Sequence, residues 1–241
     1  MKKDEESLPA GRQVEFKVGD ETLRGSLFVP SGKGPFPGVV FFHGSGGIGE
    51  MYFEAAESLA ERGIVGFAFN YRGAGVSEGI FEEQTLKMGI ADAETAFKFF
   101  IAQPEIHEKR IGICGASFGG YIAALISNLS NVKSLILVGP AAYLSTDLNR
   151  QRDDAGDSVK DFTKSNSFDE IEKFKGKLLV MTSEFDEVIP PEVIEGYLKR
   201  AKSATRVEQF VLKGAEHRIS INPQARRAFI KKTTDWFLKT L

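Results

Sequence analysis

What most restricts the fold of this chain is a repeated exchange between two hydrophobic periods. Short, mostly apolar runs at residues 39–42, 64–69, 111–114, 134–138, 178–182 and 207–212 have the length and composition of strands. Between them lie stripes at helical spacing. Phe53, Ala56, Leu59 and Ala60 form the first, and Leu86, Ile90, Ala93, Phe97 and Ile101 the second. Tyr121, Ala124, Leu125 and Leu129 follow, then residues 193–201, then Ala225, Phe229, Trp236 and Phe237. A strand buried on both faces reads as a continuous apolar run, because neither side of its pleat meets water. The chain is therefore predicted to be α/β, with a mostly parallel central sheet and helices on both faces. Residues 14–18 and 22–29 alternate around Gly19-Asp20 and predict an antiparallel hairpin ahead of that sheet. A length of 241 residues fits one domain over 1–241. Residues 139–175 break the alternation and carry Tyr143, Leu144, Phe162 and Phe168 among many charges, so a small lid insertion of one or two short helices is expected there.

One strand-to-helix junction carries chemistry. The run at 111–114 ends in Gly115-Ala-Ser-Phe-Gly119, and a helical stripe follows at once. G-x-S-x-G between a strand and a helix is a nucleophile elbow, whose glycines allow a turn too tight for side chains. It presents Ser117 to solvent and puts the Phe118 amide at a helix N-terminus, where negative charge is favoured. A serine hydroxyl needs an adjacent base, itself oriented by a third group. Three histidines are available. His107 lies in a polar loop and is read as a surface residue. His217 follows the last predicted strand, at a carboxyl end where ligands gather in such sheets. Candidates for the orienting acid are Glu184, Asp186 and Glu187; Asp186 is preferred because the turn into Pro190 and Pro191 leaves it near the loop tip, with Glu184 in reserve.

With those residues in place, the chain resembles the α/β-hydrolase fold superfamily. The resemblance rests on Phe42-His-Gly-Ser-Gly-Gly47, Tyr71-Arg-Gly-Ala-Gly-Val-Ser77, the elbow, and the loops holding Asp186 and His217. It runs from about residue 14 to the C-terminus and preserves the order Ser, Asp, His. Within the superfamily the chain is similar to small serine carboxylesterases of the dienelactone-hydrolase and feruloyl-esterase type, and to the catalytic domain of prolyl-oligopeptidase-like peptidases. Dienelactone hydrolases use cysteine where Ser117 stands here. The resemblance implies that His43 shapes the oxyanion loop and is not the base. It also implies oxyanion amides at Ser45 and Phe118, with Gly44 or Gly46 as other sources of the first. Two positions depart from the pattern: Asn70 replaces a common aspartate, and Glu216 precedes His217 where relatives usually have a small residue.

Composition narrows the remaining readings. A net charge of −2 and no basic cluster interleaved with aromatics argue against nucleic acid as a partner. Cys114 is the single cysteine, so no internal disulfide can form, and beneath the elbow it reads as core filling. No Cys/His cluster has metal-ligand spacing, so neither a metal nor a cofactor is expected. The start lacks an apolar stretch after its lysines, and no run is long enough to span a membrane, which predicts a cytoplasmic protein. The expected activity is hydrolysis of a small-molecule ester by a serine route. Hydrolysis of peptides is the near alternative. A reading of another class also exists: Gly44-Ser-Gly-Gly-Ile-Gly49 fits G-x-G-x-x-G, and Asn70 and Arg72 could read an NADP phosphate.

Overall fold

A computed structural model describes residues 11–129, 131–151 and 162–241. The hairpin is formed by β1 (Arg12–Val18) and β2 (Glu21–Phe28), paired antiparallel from Arg12 opposite Leu27 to Val18 opposite Glu21. Next in the chain come β3 (Phe36–Phe42), α1 (Phe53–Ala60), β4 (Val65–Phe69) and α2 (Leu86–Ile101). They are followed by β5 (Ile106–Ala116), α3 (Phe118–Leu125), β6 (Val132–Val138) and α4 (Asn166–Lys173). β7 (Lys177–Phe185), α5 (Pro191–Arg200), β8 (Arg206–Glu216) and α6 (Pro223–Thr240) complete the order. All eight strands make one sheet, in the order β1-β2-β4-β3-β5-β6-β7-β8. From β4 to β8 the pairing is parallel, and β2 joins β4 antiparallel.

The strand sequences explain the two-sided packing. Successive side chains point to opposite faces. In β3, Val40 and Phe42 enter the core under α2 and α3, while Val39 and Phe41 enter the core under α1 and α6. Leu135 and Leu137 of β6 join the first core, and Ile136 and Val138 the second. Most buried residues of these strands are thus apolar whichever way they point; the buried Ser134 of β6 is hydrogen-bonded to Thr240. The chain runs out from β3 toward β4 on one side and toward β5 on the other, so the carboxyl ends of β3 and β5 flank a topological switch point. Open α/β sheets bind ligands at that crevice.

One expectation needs correction. β5 begins at Ile106, earlier than its apolar run, so His107 lies within the strand and not in a loop. Ladder partners of β5 with β3 pass from Ile106 directly to Ile111, which lets polar residues 107–110 extend at the sheet's far end without an apolar environment. Within the segment 139–175, α4 is a crossover helix between β6 and β7, and its Phe168 and Ile171 are buried in the core with α3 and α5. Part of the expected lid, residues 152–161, lies outside the described residues.

Candidate active site

Strand β5 delivers Ser117 to the switch point through a turn with no room for side chains. A Cβ on Gly119 would stand 2.1 Å from the Phe42 carbonyl oxygen, and one on Gly115 would stand 2.2 Å from that of Gly119. Ser117 itself takes φ 52° and ψ −118°. Such a conformation costs roughly 1–3 kcal/mol and persists only where the surroundings enforce it. Here the backbone does so: Ser117 N–H donates to Val138 O (2.9 Å), and Ser117 O accepts from Tyr121 N (3.0 Å) and Ala141 N (3.1 Å).

The base and acid arrive from the ends of β8 and β7. His217 Nε2 lies 3.0 Å from Ser117 Oγ. Its Nδ1 lies 3.0 Å from each carboxylate oxygen of Asp186. An ionised carboxylate only accepts, so Nδ1 carries the proton and Nε2 is left to accept the serine hydroxyl. Asp186 Oδ1 also accepts the amides of Val188 and Ile189, both at 3.0 Å. Burial pushes the Asp186 carboxyl up, but the His217 bond and these two amides outweigh it and hold the group below the usual carboxylate range.

The reserve acid has other work. Glu184 binds Lys213 Nζ and the Gly214 amide, each at 2.8 Å, and these two contacts lower its own pKa. Asn222 Nδ2 donates to Gly214 O at 2.7 Å, so that peptide is gripped on both sides. Gly214 has φ +69°, and the grip sets the direction in which the chain leaves toward His217. Asn222 also caps α6 by accepting the amides of Gln224 and Ala225. Neither role was apparent from the sequence. Glu187 is exposed, as is Glu216, and neither lines the cleft at Ser117.

Residues after β3 form the opposite wall. His43 is fully buried; its Nδ1 is 2.8 Å from Gly44 O and its Nε2 accepts Tyr71 N–H at 3.3 Å. A backbone amide can only donate, which fixes the proton on Nδ1 and makes that atom the donor to Gly44. Gly47 N–H reaches the same carbonyl at 3.1 Å. In a trans peptide the N–H opposes the C=O, so the Ser45 amide faces away from His43. This peptide sits against the elbow, since a Cβ on Gly44 would be 3.2 Å from Ser117 Cβ.

The dinucleotide reading loses its residues to internal contacts. Asn70 accepts the Gly49 amide (2.7 Å) and donates to Glu50 (3.0 Å). Arg72 is held by Asp92 (2.7 Å) and Glu21 (3.0 Å). His107 stands at the far end of β5 from Ser117. Cys114 is buried beneath the elbow, where desolvation raises its thiol pKa far above the ordinary value. Among the described residues no group of three His, Cys, Asp or Glu is placed to hold a metal, and no helix is long and apolar enough to cross a membrane.

Ser117 opens onto a cleft of about 580 Å³. Its walls are the loop after β3 and the segment that follows His217; of residues 139–175, Gly139 alone among the described residues lines it. The sequence had not singled out Met51, Tyr52, Arg218 or Arg226 as lining residues, and Phe229 reads there as one more member of a helical stripe.

Comparison with known proteins bears on the family and the fold. Residues 50–241 match the prolyl oligopeptidase family. A segment of 136 residues, 56% of this chain, is 33% identical to acyl-coenzyme A amino acid N-acyltransferase 2 of Rattus norvegicus and covers 31% of that protein. The chain thus spans about a third of that relative's length. Among solved structures, the Est2 esterase of Thermogutta terrifontis superposes with a TM-score of 0.75 at 21% identity, covering 97% of this chain and 95% of that one. Pyrococcus horikoshii acylaminoacyl peptidase also gives 0.75, at 23% identity, over 95% of this chain and 41% of its own. The expected α/β-hydrolase fold is borne out by these superpositions.

Proposed function

The chain belongs to the prolyl oligopeptidase family, and from that membership we propose a serine hydrolase that cleaves carboxylic esters through an acyl-enzyme. The observation that carries the reading is the unbroken contact from Ser117 Oγ through His217 to Asp186, with 3.0 Å at each step. Ser117 Oγ attacks the ester carbonyl while its proton passes to His217 Nε2. Asp186 keeps the imidazole in the tautomer that can accept it and stabilises the imidazolium that results. The carbonyl's electron pair moves onto oxygen, which the amides of Ser45 and Phe118 receive; one such donor contributes about 10²–10³ in kcat. Collapse expels the alkoxide, which takes the proton from His217. Water then repeats the sequence on the acyl-serine and releases the acid.

Peptide hydrolysis is the second reading, and the family itself favours it, because the same imidazolium can protonate a departing amine. Thioesters belong in the same test, since the rat relative is named for an acyl-coenzyme A substrate. A panel of p-nitrophenyl butyrate, an acyl-coenzyme A and an aminoacyl anilide separates the three. The ester is expected to give the highest kcat/KM. Ser117→Ala is expected to lower kcat by about 10⁶ with an unchanged unfolding temperature. Near-wild-type turnover in that variant would refute the reading.

A further inference from the structure

The cleft does not stop at the reacting atoms. Beyond Ser117 it is lined by Met51 and Tyr52, in the turn that leads into α1, and by Ile219, Arg226 and Phe229, just before and within the first turns of α6. Tyr52 and Phe229 are 2% and 5% exposed, and their ring centroids are 6.1 Å apart. On the solvent side the two helices are tied by Arg226 Nη2 of α6 and Glu54 Oε1 of α1, 2.9 Å apart, with both side chains about two-fifths exposed. Arg226 also lines the cleft. This channel therefore combines apolar and aromatic lining at Met51, Tyr52, Ile219 and Phe229 with the partly exposed Arg226, which Glu54 holds from outside the cleft. A volume near 580 Å³ lies within the range of small-molecule sites and is more than an acetyl group needs.

We propose that this channel, between the turn before α1 and the start of α6, binds an extended apolar group of the substrate, aliphatic or aryl, and that Arg226, held by Glu54, limits it. The proposal rests on Ser117 being the nucleophile, which places the ester carbonyl at the channel's mouth. It makes the substrate class medium-chain or aryl esters, and it makes Met51 and Arg226 specificity residues for the reaction. An exposed ion pair contributes little to stability, so Glu54→Gln loosens Arg226 without unfolding the protein.

The test measures kcat/KM in two ester series. One lengthens the acyl chain from acetate to octanoate on a constant p-nitrophenol, and the other lengthens the alcohol on a constant acetate. In whichever series enters the channel, kcat/KM should rise about fourfold per added methylene until the space is full, and the other series should stay flat. Met51→Trp, which fills the channel, should lower the ratio of the longest to the shortest substrate at least tenfold. Glu54→Gln should raise it. Two flat series from an enzyme that hydrolyses acetate would overturn the channel and leave the hydrolase reading standing, as would a chain-length gain that Met51→Trp leaves intact. If no ester is turned over, calorimetric titration of Ser117→Ala with ethyl acetate, butyrate and hexanoate still decides. Tightening with chain length supports the channel, and equal affinities overturn it.

Discussion

The two halves of the site are held by different means. On the nucleophile side, at the ends of β3 and β5, position is set by buried backbone in contact with buried backbone. Gly119 lies against Phe42, the Gly44 peptide against Ser117, and the fully buried His43 locks that peptide from behind. On the acid–base side, at the ends of β7 and β8, position is set by side chains that reach backbone groups near the surface. Asp186 takes two amides of its own turn, and Glu184 and Asn222 hold Gly214. A steric constraint fails all at once when a group is added. A hydrogen-bonded one loosens in steps and responds to pH. The proposed nucleophile and oxyanion donors, which such a reaction requires to stay fixed, sit on the first kind of support.

The sharpest way to break this contrast is Gly119→Ala. Its Cβ would fall 2.1 Å from Phe42 O, between two backbones that cannot yield. The loss should exceed the roughly 1–3 kcal/mol usual for an overpacked core and leave little folded protein. Chemical denaturation within about 1 kcal/mol of wild type would show that the elbow is not sterically fixed.

On the other side, Asp186→Asn should leave the fold intact while lowering kcat by about 10⁴, because an amide can hold the wrong imidazole tautomer. An unfolding transition shifted along with kcat would place Asp186 among structural residues instead.

His43→Ala tests the nucleophile side at its oxyanion wall. It removes a donor to Gly44 O and the ring nitrogen that accepts the Tyr71 amide. The expected result is a kcat lower by about 10²-fold with KM little changed, plus roughly 1–3 kcal/mol of stability lost. A change confined to KM would detach the residue from the oxyanion donors.

The smallest effect belongs to the Gly214 grip. Glu184→Gln should lower kcat/KM less than about fivefold, since an exposed charge-assisted bond is weak. The folded-state pKa of Glu184 is depressed, by Lys213 first and then by the Gly214 amide. Its contribution is therefore fully present above the ordinary glutamate range and is lost as pH falls through the depressed folded value. The wild-type to variant activity ratio should shrink toward one in acid. A ratio constant with pH would remove the carboxylate from this role.

How much of this could be read beforehand follows the same division. Residues buried on both sheet faces must be apolar in every direction, so the strands at 39–42, 134–138 and 178–182 stand out, and the glycines of the elbow have no other purpose in a strand-to-helix turn. The order Ser117, Asp186, His217 came from the elbow motif, the turn into Pro190 and Pro191, and the end of the last strand. Side-chain grips on backbone leave no such trace: Glu184 and Asn222 look like ordinary loop residues until the chain is folded. The channel was equally hidden, because Tyr52 and Phe229 occupy helix positions that a core would also fill with aromatics. α4 misleads for a related reason, since its charges face water while Phe168 and Ile171, three apart, face the core.

The claim on which everything else depends is that Ser117, held by backbone at the switch point, is the nucleophile. Treating the protein with a fluorophosphonate and mapping the adduct by mass spectrometry tests it directly. The account predicts one adduct, on Ser117, absent from Ser117→Ala and formed far more slowly in Asp186→Asn. A stoichiometric adduct on any other residue, or ester turnover that persists with Ser117 unmodified, would contradict it.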